Sequence, residues 1–461
     1  VNDTLVEPTS DRPQRQLNWY DSTSIAVGII IGAGIYQTAP GVASSVDSLG
    51  GLLGLWLLGG FFSLCGALCY AELATTFPRE GGDYVYLSRA YGPTVGFLFG
   101  WMQLLVIRPG DIAVIAFTFA SYSAGSLAEA PGPWLLGWHA CLAVVVLTLI
   151  NMAGVEVGKW IQNLLTGLKI VGLLAIVALA FTLPPPSTAE ASLVSTAGTD
   201  ASPLPVSVAL ILVIFTFGGW NETAYVAAEV KSPERNILRA LVSGVVAVTI
   251  LYLLVNLAFV KTLGFERMKE SSAIATDTVQ AYFPAWGATL VSLLICISAL
   301  SSLNGLIFTG SRIAFALGAD HRLFQRLGRW NPTTRTPLWA LGFQAVISLG
   351  LIGLLGSFEH AILYTASSVY LFYLATCLGL VILRCKEPSL PRPYRVTAYP
   401  LPLLIFGSFC LFLIYSTVTY QPWMAAVVAF IGAVGLLVYA FEQRWFGRTV
   451  STAPAADAPR D

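Results

Sequence analysis

Twelve stretches of this sequence stay apolar for about the 20 residues a helix needs to cross the hydrocarbon of a bilayer. They lie at roughly 22–45, 51–77, 94–125, 133–153, 160–183, 205–229, 239–262, 284–318, 337–357, 360–384, 399–420 and 422–445. In hydrocarbon each unpaired backbone N–H or C=O costs several kcal/mol, so only helices and closed barrels span a membrane. Runs of this length select helices. Composition agrees: 56% of the 461 residues are hydrophobic and 11% charged, against about 25% charged in a soluble chain. The chain therefore reads as an all-α polytopic membrane protein with twelve transmembrane helices. Its formal net charge is zero, so the expected partner is the lipid bilayer and not a nucleic acid. The seven cysteines fall in or at the ends of apolar segments, without zinc-type spacing, and read as small packing residues.

Orientation follows from lysine and arginine. With the N-terminus inside, 20 of the 25 basic residues fall on inside loops and tails. Lys261, Arg267 and Lys269 fall outside, and Arg108 and Lys169 lie within spans. Both termini are thus expected in the cytoplasm, with the body in the cell inner membrane. Residues 1–18 are polar and contain Pro8 and Pro13, so they read as a disordered tail without a cleavable signal. Spans 1–5 occupy 19–183, an extracytoplasmic loop 184–204, spans 6–10 205–384 and spans 11–12 385–448, and 449–461 form a cytoplasmic tail. The segment between spans 7 and 8 has room for a short surface helix.

Two spans are weakened at mid-membrane. Span 1 contains VGIIIGAGIYQTAPG, with Gly32, Ala33 and Gly34 inside the apolar run. Span 6 contains FTFGGWNETAY, with Gly218 and Gly219 followed by Trp220, Asn221 and Glu222. A helix-interior glycine costs roughly 1 kcal/mol relative to alanine. One such pair is explained by close helix packing. Two, in matching positions of two five-span halves, point to an inverted repeat with broken helices around a central substrate site. Unwinding frees N–H and C=O groups, and half-helix N-termini attract a carboxylate. A zwitterion satisfies both.

The quoted motifs carry a resemblance. GIIIGAGIY in span 1, CGALCYAELATTFPREGGDYVYLSRAYG at 65–92, IRP at 107–109, GGWN at 218–221, AEVKSPERNILRAL at 228–241, SSLNGLIFTGSR at 301–312 and RPYRV at 392–396 extend over nearly the whole chain. The sequence resembles the amino acid–polyamine–organocation superfamily and, within it, the L-type amino acid transporters. The resemblance implies a LeuT-type fold: five plus five inverted helices with discontinuous helices 1 and 6, and two more at the C-terminus. It implies that the N–H groups of Ala33, Gly34 and Ile35 hold the substrate carboxylate, and that carbonyls of Ile30, Phe215 and Gly218 hold the ammonium. The Phe215 ring would gate the site, and Asn221 would brace the unwound part of helix 6. Val106, Ile107 and Tyr370 would line the side-chain pocket. A β-branched residue at Gly34 would then occupy the carboxylate position. Animal members bond a glycoprotein heavy chain through a cysteine between spans 3 and 4. Here that loop reads SLAEAPGPW, so no disulfide-linked partner is expected.

Ionisable residues at membrane depth are expensive and usually functional. Lys169 lies ten residues beyond Lys159, about 15 Å deeper at 1.5 Å per residue. The resemblance implies that its ammonium takes the place of a sodium ion, bridging carbonyls near Gly28 and Ile29 to Ser302, or else Ser301. Glu222 and Asp111 are candidates for a proton or selectivity site, and Arg108 and Asp111 stand three apart, able to pair on one helix face. Glu229, Lys231, Glu234 and Arg235 are expected to pair with the 79–89 segment.

No Walker A motif, metal-ligand cluster or nucleophile–base set occurs, so neither an enzyme nor a cofactor is expected. The function read from the chain is sodium-independent transport of L-amino acids by alternating access, as exchange or facilitated transport of neutral substrates. Proton-coupled uptake, transport of cationic amino acids or polyamines, and a non-transporting amino acid sensor are the alternatives.

Overall fold

The computed structural model describes residues 13–125, 132–184, 204–271, 273–356, 358–420 and 422–446. The extracytoplasmic loop, the C-terminal tail and most of the SLAEAPGPW loop inferred above lie outside these. Among the described residues the chain is all helical, with only two isolated bridges, Leu17 to Val230 and Asn331 to Thr336. Nine helices among the described residues are long and apolar enough to span a bilayer, and a tenth span follows if the bent pair at the start is counted as one.

That pair is α1 (Trp19–Ile30) and α2 (Gly34–Ser44), which meet at 51°. A capping box starts α1: Asp21 N–H donates to Asn18 Oδ1 at 2.9 Å, and Asn18 N–H to Asp21 Oδ2 at 3.0 Å. Then follow α3 (Leu49–Thr76), α4 (Asp83–Tyr91) and α5 (Pro93–Met102). A wide π-helical turn at Gln103–Ile107 joins α5 to α6 (Arg108–Gly125), and α7 (Pro133–Ala153) and α8 (Val155–Thr182) follow.

Beyond residue 204 come a short helix, α9 (Val206–Thr216), then a non-helical turn and a tight 3-10 stretch at Glu222–Glu229. Next come α10 (Pro233–Leu263), α11 (Phe265–Glu270), α12 (Ile274–Gln280) and α13 (Gly287–Asp320). α11 and α12 occupy the segment in which one short surface helix was expected. The chain ends with α14 (Leu338–Leu355), α15 (Phe358–Lys386), α16 (Leu401–Tyr420) and α17 (Pro422–Phe446).

α1 packs among α8, α10 and α13, and α3 lies along α10. Close approach needs glycine at these seams. A Cβ on Gly28 would stand 2.1 Å from Gln162 Nε2, and one on Gly305 2.4 Å from Ile29 Cγ1. Residues 13–18, counted in sequence with the N-terminal tail, run against the end of the 3-10 stretch. Leu17 N–H donates to Glu229 O and Lys231 N–H to Leu17 O, both at 2.8 Å, and Leu17 is fully buried.

Candidate functional site

The two breaks face one another. α1 stops at Ile30, and Ile31 leaves helical geometry at φ −76°, ψ 76°. α2 begins at Gly34 with Ala33 at its N-cap and no side-chain cap. As the first residues of a helix, Gly34 and Ile35 have N–H groups with no intrahelical acceptor, at the positive end of the dipole. In span 6, α9 ends at Thr216, and Gly219 turns the chain at φ +95°, where a Cβ would meet Ile29 Cγ2 at 2.4 Å.

The half-helices touch: Thr38 and Thr216 share a hydroxyl–hydroxyl hydrogen bond at 3.0 Å. A Cβ on Gly34 would lie 2.9 Å from Thr216 Oγ1. A side chain at Gly34 would therefore also press on Thr216. Donors already meet the freed carbonyls. Ile30 O already accepts from Tyr252 Oη at 2.9 Å and from Gly32 N–H at 2.8 Å, which engages both lone pairs. Phe215 O accepts from Gly218 N–H at 3.0 Å, and the Phe217 N–H is also turned toward it.

Between the breaks lies a cavity of about 170 Å³, comparable to the ~150 Å³ engineered cavity that admits benzene. Ile30, Gly32, Ala33, Gly34, Phe215, Gly218, Gly219 and Tyr370 line it, as do Glu222, Asp111 and Ser302. Much of the wall is aromatic. Phe62 stacks on Phe409 with centroids 4.4 Å apart, and Trp220 meets Phe406 edge-on at 5.5 Å. Phe215 is 39% exposed.

Four expected residues stand elsewhere. Ile35 is fully buried beside the cavity but absent from its wall. Val106 is fully buried in packing, and Ile107 lines only a smaller cavity beyond. The wide turn at 103–107 resets the helix register, so α6 presents Asp111, Val114, Ile115 and Thr118 instead. These recur at the helical spacing of one face. Asn221 is buried outside the cavity. Its Nδ2 donates to Tyr225 Oη at 3.0 Å, and its Oδ1 accepts from Tyr373 Oη at 2.9 Å.

The Lys169 ammonium donates to Gly28 O at 2.7 Å, Ile31 O at 2.6 Å and Ser298 O at 3.0 Å, with Ser302 Oγ at 3.4 Å. Ile31 thus replaces the expected Ile29, because the chain has left the helix there and turns its carbonyl inward. Ser302 is the span 8 hydroxyl of the cluster. Ser301 instead bonds Thr166 and Gln162.

Arg108 does not pair with Asp111. Its Nη1 reaches Glu222 Oε1 at 3.0 Å, both side chains being almost fully buried, and Glu222 Oε2 accepts from Thr309 Oγ1 at 2.5 Å. The fold brings a carboxylate from the break directly onto the guanidinium, and that outcompetes the neighbour three residues along. Asp111 accepts from Thr365. Glu229 likewise pairs with Arg312, at 2.6 Å and fully buried, and not with the 79–89 segment.

A second polar cluster escaped sequence reasoning. Asp83, buried at the start of α4, accepts from Tyr70 Oη at 2.6 Å, Tyr225 Oη at 2.7 Å and Thr376 Oγ1 at 2.5 Å. Through Tyr225 and Asn221 it reaches the span 6 break. The GGDYVYL motif contained the acid, but its partners lie far apart in sequence. In the adjoining loop, burial and then the nearby Glu229 raise the Glu80 carboxyl to about 7.

Among the described residues, an apolar all-helical body and two facing helix breaks with a small cavity between them have the character of a membrane carrier for a small solute. A family model described as amino acid permease matches residues 17–438. The human b(0,+)-type amino acid transporter 1 is 29% identical over 437 residues, 94% of this chain and 89% of that protein. The large neutral amino acids transporter small subunit 2 is 30% identical in its human form and 31% in its mouse form, each over 436 residues, 92% of this chain and 79% of theirs. The chain belongs to the amino acid permeases of the amino acid–polyamine–organocation superfamily.

Proposed function

We propose that this permease is a sodium-independent exchanger or facilitator of neutral L-amino acids, working by alternating access in a cell inner membrane with both termini cytoplasmic. Its helices form the twelve-span, five-plus-five arrangement of the LeuT type. The observation that carries this reading is the uncapped start of α2 at the wall of the 170 Å³ cavity. The N–H groups of Ala33, Gly34 and Ile35 hold the substrate carboxylate there. Phe215 O and Gly218 O take the ammonium, while Ile30 O contributes less because Tyr252 Oη and Gly32 N–H occupy it. The Phe215 ring closes over the bound substrate, and Asn221 braces the break through its two tyrosines.

Lys169 supports the absence of sodium coupling, because its ammonium already donates to the carbonyls that a cation would gather. The aromatic wall suits an apolar substrate side chain, and one relative is named for large neutral amino acids. The chain works without a disulfide-linked heavy chain. The test is uptake of leucine into proteoliposomes, with and without internal leucine and with sodium replaced by potassium. Uptake stimulated by internal leucine and indifferent to sodium is expected. Steep sodium dependence, or no uptake of any amino acid, would overturn the reading.

A further inference from the structure

Asp111 is the one carboxylate of the cavity wall whose charge no neighbour matches. The structure assigns three charges to this region: Arg108, Glu222 and Asp111. Arg108 is taken by Glu222 at 3.0 Å. Lys169 is turned toward Gly28, Ile31 and Ser298. Among the described residues no lysine, arginine or histidine stands within 4.0 Å of Asp111. The groups facing it are Arg108 on its own helix, Glu222 at the break, and Thr365, Tyr370 and Tyr373 on α15. With the Arg108–Glu222 pair cancelled, the site carries one net negative charge.

An unmatched charge at membrane depth costs several kcal/mol. Two things can match it: a proton on the carboxylate, or a cation brought by the substrate. A neutral amino acid brings none, since its own two charges are met at the helix breaks. Lysine or arginine brings one, at the end of a side chain long enough to leave the breaks.

We propose that Asp111 balances the charge of the substrate, ionised against a cationic side chain and protonated beside a neutral one. One site then accepts both classes with the same total charge. The proton joins a carboxylate oxygen from solvent when a neutral substrate binds, and returns to solvent when a cationic one does. A second cavity of about 30 Å³ supports the exchange. It shares Asp111, Glu222, Val369 and Tyr373 with the main cavity. Gln103 Oε1 and Arg108 Nε, both buried and without a protein partner, belong to residues lining it. An acceptor and a donor in a space of this size suit one bridging water, next to Asp111.

This inference rests on the amino acid site proposed above, and its test separates the two. Binding of lysine and of norleucine, which has the same length without the terminal ammonium, is measured on the purified full-length chain from acid to mildly alkaline pH. Lysine affinity should rise with pH and norleucine affinity fall, each approaching tenfold per pH unit, the limit for one proton exchanged. Asp111→Asn should weaken lysine at least tenfold. It should also abolish the norleucine slope, holding that affinity at its acid-limit value. Parallel or flat slopes in the parent protein overturn the proposal, and this needs no variant to fold. So does lysine binding by Asp111→Asn that equals the parent's. Leucine exchange that persists alongside parallel slopes refutes the charge-balance role alone. Absence of any amino acid binding refutes the site as well.

Discussion

Replacing Glu222 with glutamine isolates the electrostatics of the span 6 break. Glu222 Oε1 lies 3.0 Å from Arg108 Nη1, with side-chain exposures of 7% and 3%. At about 3 Å and an effective dielectric of about 20, the attraction is about 5–6 kcal/mol. Most of this offsets the desolvation of two ions, so the intact pair contributes little net stability. Removing one partner is different, because the other ion keeps its desolvation cost unmatched, a loss of about 3–5 kcal/mol. Glutamine preserves the shape and still accepts from Thr309, so packing hardly changes. Arg108 Nε already has no protein partner, which leaves the guanidinium few substitutes. Asp111, three residues away, softens the loss and places it near the lower end, roughly 3 kcal/mol or two decades in the folding equilibrium. Adding Arg108→Met removes the stranded charge and should recover most of that loss. Unfolding of the detergent-solubilised protein, by heat and by denaturant, reads both variants. Wild-type stability in Glu222→Gln, or a double variant no better than the single, would refute the reasoning.

Gly219→Ala should lose substrate binding or folding, since φ is +95° and the new Cβ meets Ile29 at 2.4 Å, whereas Gly32→Ala, with its nearest neighbour at 3.6 Å, should fold normally. Size-exclusion profiles and leucine binding of the two side by side check this, and equal behaviour in both measurements counts against the geometry. Lys169→Ala should insert but exchange leucine at least tenfold more slowly, because Ser298 O, Gly28 O and Ile31 O lose a shared donor. Parental turnover would make the lysine a bystander. Glu80, raised from 4.5 to about 7 in the folded protein, gives a signed pH effect. Between those values the folded state keeps a proton that the unfolded state has released, so stability falls as pH rises through that window. Glu80→Gln should flatten this slope, and a slope identical to the parent's would exclude Glu80 as its source.

What sequence alone determined are properties that short stretches of chain carry by themselves. Apolar length marks a membrane segment because hydrocarbon tolerates no unpaired backbone, and paired glycines mark where a helix is cheap to interrupt. The breaks at Gly32–Gly34 and Gly218–Gly219, and Lys169 at depth, were therefore legible. The families of motifs also pointed to the permeases. Tertiary structure decided which charge meets which. Arg108 was expected to pair with Asp111, three residues away, yet its partner lies 114 residues away at the other break. Glu229 meets Arg312 across 83 residues, and Asp83 gathers hydroxyls from three separate elements. Helix rotation was equally hidden: one wide turn at 103–107 took Val106 and Ile107 off the cavity wall. Ion pairs and helix faces depend on distances between elements and on accumulated rotation, which a local reading of sequence does not contain, whereas membrane solvation acts on every segment separately.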